Sequence, residues 1–192
     1  VVPMLPSSNG TPNRATRREG WFMPVSGKIP EAVKRKMVNQ EGFEPNMGPD
    51  GARLMGARLD NSGKSGGRGS GDWTCTMPQH WLFEGTGMKK GDSVKGLVGW
   101  EWHGAPAMDL PGLNVVAEGT PFINGKEMGR YTSTLYDGPK GNVVFNAATI
   151  WWANGLSSPP GHVNPSRHGV TQQGSDKRVQ QITHNLFQRI IS

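Results

Sequence analysis

In "GLVGWEWHG" (residues 96–104) a glutamate, Glu101, stands between Trp100 and Trp102, and His103 follows at once. The surrounding run is apolar and reads as a buried strand over "KGLVGWEW" (95–102). A carboxylate in such a strand is costly unless it is paired or hydrogen-bonded. Desolvation between indole rings disfavours a carboxyl's charged form, and a carboxyl so tuned exchanges protons near neutral pH. Glu101 is thus a candidate for proton-transfer chemistry. The competing reading is structural: Glu101 accepts backbone N–H groups or pairs with a nearby Lys or Arg, and only holds a loop. Spacing alone favours this second role.

The remaining reactive side chains give less. His103 lies two residues beyond Glu101, on the same face if both are in one strand. Together they would offer two metal ligands, with no third evident. His80, His162, His168 and His184 are scattered without metal-ligand spacing. Cys75 is the only cysteine, which excludes a disulfide within the chain and a zinc site of several thiolates, and it reads as a small buried residue. Ser157 and Ser158 lack the nucleophile-elbow pattern. "DNSGKSGGRGSG" (60–71) has Arg58 where a phosphate-binding loop needs its first glycine, so it reads as a flexible loop.

The elements that must position these residues are short. With 28 glycines, 15 prolines and only 34% hydrophobic residues, the chain should be rich in turns and loops rather than long helices. Residues 1–53 read as an irregular N-terminal region with one short helix over "PEAVKRKMV" (30–38). Strands are expected at 95–102, 113–120 and 130–138, and "GNVVFNAATIWWA" (141–153), the most apolar segment, should be central. A long loop covers 155–169. The clearest helix follows, with Ser175 as its N-cap and Val179, Ile182, Leu186 and Ile190 as its apolar stripe.

The formal net charge of +6 gathers before residue 40, at Arg14, Arg17, Arg18, Lys28, Lys34, Arg35 and Lys36. No nucleic-acid-binding motif accompanies it, so a solvated basic surface is expected rather than a nucleic-acid site. No apolar run approaches the roughly 20 residues of a membrane helix.

"HWLFEGTGMKKGD" (80–92), "GLVGWEWHG" (96–104), "GNVVFNAATIWWANGLSSPPG" (141–161) and "DKRVQQITHNLFQRI" (176–190) resemble the C-terminal part of the N,N-dimethylformamidase large (beta) subunit family. The resemblance covers residues 54–192. It implies an α/β fold, the C-terminal part of a glutamine-amidotransferase-like, mostly parallel sheet with flanking helices. It implies a metal-dependent amidohydrolase that cleaves a C–N bond of a small amide or formamide at an iron held by two tyrosines and a carboxylate. Those ligands lie upstream in the family, so Tyr131 and Tyr136 do not inherit that role. The family's Gly-aromatic-Glu strand does map onto Glu101, which places the catalytic role beside the structural one. His103 stands where the enzyme has an aspartate, a departure that bears on the substrate. The resemblance further implies that the chain needs the upstream part of its own protein or a companion subunit, that it is part of an oligomer, and that alone it is inactive. A non-enzymatic interaction module on the same fold is the alternative. An incomplete parallel sheet would also leave edges to be covered.

Overall fold

The computed structural model describes residues 51–59, 68–99, 101–161 and 174–191. The expected helix at 30–38, most of the loop at 60–71, Trp100, and the loop beyond residue 161 lie outside the described residues. The chain divides into two units, residues 1–54 and 55–192. The short helix α1 (Gly51–Met55) falls at the division; the fold below is that of the second unit.

Nine strands follow among the described residues: β1 (Ala57–Leu59), β2 (Ser70–Thr74), β3 (Ser93–Gly99), β4 (His103–Pro106), β5 (Asn114–Gly119), β6 (Phe122–Ile123), β7 (Lys126–Glu127), β8 (Tyr131–Asp137) and β9 (Val143–Asn146). They form three small sheets, β1–β4, β3–β2–β6–β7 and β5–β8–β9. Every pairing among the described strands is antiparallel. The expected α/β fold with a mostly parallel, glutamine-amidotransferase-like sheet is therefore wrong. The reason is in the connections. Parallel neighbours need a crossover of a dozen or more residues, usually a helix. Here residues 120–121, 124–125 and 138–142 join successive strands directly, and the one long helix, α2 (Lys177–Ile191), comes after all of them. The turn chemistry agrees: Asn124 and Gly125, with φ of 50° and 77°, make the left-handed two-residue turn that an antiparallel hairpin requires.

β8 organises the core. From Tyr131 to Tyr136 every residue is buried, although Thr132, Ser133 and Thr134 are polar. Their hydroxyls are satisfied locally: Thr132 donates to the Gly104 carbonyl, and Ser133 to that of Asn146 at 2.7 Å. A buried hydroxyl with a partner avoids the desolvation penalty. β2 supplies Trp73, fully buried, whose ring meets Phe83 and Trp152 at 5.9 and 5.4 Å. Tyr131 fastens β2 from the side: its hydroxyl donates to the Asp72 carbonyl at 2.6 Å and accepts the Thr74 amide at 2.8 Å.

The segment expected to be central is not. β9 is only half-buried and forms the edge of its sheet. The chain leaves the strand after Asn146 and passes through a 3-10 turn at Trp152–Gly155. The final helix forms as its periodicity predicts, but its cap is Asp176 rather than Ser175. The Asp176 carboxylate accepts the Arg178 amide at 2.8 Å and its guanidinium at 2.6 Å, which holds the carboxyl below its ordinary range. Val179 and Ile182 anchor the helix on the core, and Gly155 makes the close approach possible, since a Cβ there would meet Val179 at 2.8 Å. Further along, Phe187, Ile190 and Ile191 are exposed.

Candidate functional site

Glu101 does not lie in a strand. The described part of β3 ends at Gly99, where the absence of a side chain leaves room for the buried Trp151 ring. The Gly99 amide turns instead to Thr149 Oγ1 at 3.1 Å, which also accepts the Trp151 amide at 3.0 Å. Glu101 then adopts a left-handed backbone, φ 54°, and is partly exposed. The expected buried-strand carboxylate is corrected accordingly, and so is the shared strand face of Glu101 and His103: one precedes β4 and the other begins it. Trp102, between them, is buried and donates its indole N–H to the Arg68 carbonyl at 3.0 Å.

Opposite this turn stands the end of β9. Asn146 Oδ1 accepts the Ala148 amide at 2.9 Å, which leaves Asn146 Nδ2 to face His103 Nδ1 at 2.6 Å. Nδ2 can only donate, so Nδ1 is the acceptor and a neutral His103 carries its proton on Nε2. The His103 amide donates to the Ala148 carbonyl at 3.3 Å. Ala148 is itself left-handed, φ 61°, and buried. Glu101, Ala148 and Asn124 are the non-glycine residues of positive φ among those described. Asn124 belongs to a hairpin turn. The other two flank the His103–Asn146 pair. A left-handed L-residue costs about 1–2 kcal/mol, and such strain concentrates at functional sites.

This arrangement can orient an imidazole with a defined tautomer and present a carboxylate beside it in the sequence. Among the described residues no three His, Cys, Asp or Glu side chains come together to hold a metal. The other side chains considered from the sequence serve the fold. Tyr131 is core, and burial pushes its hydroxyl pKa well above the ordinary value. His80 caps the 3-10 turn Trp81–Phe83, its Nδ1 accepting the Leu82 amide at 3.2 Å, and burial lowers its pKa. Cys75 is buried, and that burial raises its thiol pKa, which favours the unreactive form. His184, Ser157 and Ser158 are exposed. His162 and His168 lie outside the described residues. Asn146 and Thr149 were not foreseen; the available signal is a polar pair, "NAAT" (146–149), closing an apolar strand.

The site thus belongs to an antiparallel β domain with one docked helix. The chain is a member of the family described as N,N-dimethylformamidase beta subunit-like, C-terminal, which matches residues 25–168. The match begins ahead of the expected start at residue 54, ends before α2, and contains Glu101, His103, Asn146 and Ala148. Comparisons with curated proteins and with solved structures returned no match. No helix among the described residues is long and apolar enough to cross a membrane.

Proposed function

We propose that this chain is the C-terminal portion of a dimethylformamidase-like amidohydrolase, contributing Glu101 as a proton-transferring carboxylate and inactive by itself. One observation carries the reading: a glutamate holds a strained left-handed conformation two residues before a histidine whose tautomer Asn146 fixes, within the family-matched region. In the reaction, water oxygen bonds to the amide carbon while Glu101 accepts the water's proton. The C–N bond then breaks as that proton passes to the nitrogen, giving a carboxylic acid and an amine. Iron is expected for the complete parent, but the described residues do not fit an iron site. No step is assigned to it here, and its ligands would come from the upstream part of the protein or from a companion subunit. A small amide or formamide is the proposed substrate.

The test is Glu101→Gln in the complete parent protein, assayed for formamide hydrolysis. Loss of a general base predicts a fall in kcat of about 10²–10⁴ with an unchanged unfolding midpoint. An unchanged kcat overturns the reading, as does appreciable formamide turnover by the 192-residue chain alone. A non-enzymatic interaction module on the same fold is the second reading, favoured by the exposed Phe187, Ile190 and Ile191 at the end of α2. It predicts that the same substitution alters stability or assembly and nothing else.

A further inference from the structure

A concavity lies apart from Glu101, His103 and Asn146, none of which lines it. It is a cleft of about 550 Å³ over β2, bounded by β3 and by the β6–β7 hairpin. That volume is in the usual range for a small-molecule site, about 300–1,000 Å³. Trp73 of β2 points into the core, while Asp72 and Thr74 line the cleft.

Its chemistry narrows the occupant. An added peptide strand needs free backbone groups along β2. Those of Asp72 and Thr74 are already taken by the Tyr131 hydroxyl, and Cys75 bridges to Ala117. Recognition therefore falls to side chains. The cleft's one carboxylate, Asp72, is matched by Lys95 at 2.6 Å and by the Gly96 amide at 2.9 Å, so there is no net charge to attract an ion. What remains is a mixed set of donors and acceptors: the hydroxyls of Ser70 and Thr120, that of Thr74, which shares a hydrogen bond with the Ser93 hydroxyl at 2.8 Å, and the Asn124 amide at the hairpin tip. Phe122, 40% exposed, adds one apolar wall. Gly96 and Gly119 add backbone to the lining. A sugar ring has the complementary surface, with hydroxyls around its edge that both donate and accept, and a C–H face for the phenyl ring.

We propose that this cleft binds a neutral polyhydroxylated ligand, a saccharide by class. Binding is independent of the hydrolytic reading, since it involves no residue of that site. The experiment is titration of the ¹⁵N-labelled full chain, followed by NMR, with methyl α-mannoside, methyl β-galactoside and N-acetylglucosamine. Inorganic phosphate and choline serve as charged controls. At least one saccharide should give saturable shifts at Asp72, Gly96 and Asn124 in the millimolar range or tighter. Asn124→Gly keeps the left-handed turn while deleting the amide, and should weaken that affinity about tenfold, the worth of one hydrogen bond. Phe122→Ala, which removes the apolar wall, is the second variant and should weaken it as well. The proposal is overturned if no saccharide saturates the cleft, if affinity survives unchanged in both variants, or if phosphate or choline binds there more tightly than every saccharide.

Discussion

Removing the Asn146 side chain should unfasten the turn that carries Glu101. Asn146→Ala loses two hydrogen bonds of unequal consequence. The Ala148 amide belongs to a buried residue and is held at 2.9 Å; a buried donor left without a partner costs about 1–3 kcal/mol. His103 Nδ1, half-buried, loses the 2.6 Å donor but gains access to water, which limits that loss to about 0.5–1 kcal/mol. The expected destabilisation is about 1.5–4 kcal/mol, read as a lower midpoint in urea unfolding followed by tryptophan fluorescence. Asn146→Asp separates the two contacts. It keeps the acceptor for Ala148 but sets a second acceptor against Nδ1, so the proton of His103 must move from Nε2 to Nδ1. Imidazole ¹⁵N resonances report that tautomer directly. A loss below about 1 kcal/mol in Asn146→Ala would refute the organising role assigned to Asn146. So would finding the proton on Nδ1 in the unaltered protein.

Two further outcomes test the scaffold. Tyr131→Phe strands the Asp72 carbonyl and the Thr74 amide and should cost about 1–3 kcal/mol. Because the folded Tyr131 pKa lies above the ordinary 10.0, its stabilising contribution is complete below pH 10 and lost as pH rises beyond it; the variant should lack that alkaline component in pH-dependent urea unfolding. For His80, burial lowers the pKa from 6.5, with Asp137 opposing more weakly. The neutral ring's contribution is present above pH 6.5 and is lost as pH falls through the folded value, when Nδ1 can no longer accept the Leu82 amide. His80→Asn retains a capping acceptor and should flatten that acid limb; an unchanged profile would show that another group causes it.

The parts legible in the sequence were those with strong local signals. The α2 periodicity placed Val179 and Ile182 correctly, and the strands at 93–99, 114–119 and 131–137 lie close to where apolar alternation set them. The strand direction was misread because runs such as β8, buried on both faces, are what a parallel sheet would show, and family resemblance pointed to that same wrong sheet. Asn124-Gly125 did carry the antiparallel signal. Residues 141–153 looked central because indoles and aliphatics follow one another, yet the indoles serve elsewhere: Trp151 packs over Gly99 of β3 and Trp152 packs on Trp73. The site was half legible. Glu101 stood out as a carboxylate among tryptophans, whereas Asn146 and Ala148 gain meaning only when β9 is brought against β4.

The cost that made Glu101 conspicuous was misassigned. A partly exposed carboxylate at a turn carries little of the burial penalty expected in a strand. The penalty lies in the backbone instead, about 1–2 kcal/mol for a left-handed glutamate. This chain meets the same conformation with glycine at twelve described positions, so the inexpensive solution is one it uses freely. At 101 it places a residue that makes the turn harder to form and adds a carboxylate two positions before the oriented imidazole. Glu101 has an interaction of its own within the fold, so a contact that holds the turn and the proposed proton transfer are both reasons for a glutamate there, and Glu101→Gln in the parent protein separates them by its effect on kcat against its effect on the unfolding midpoint.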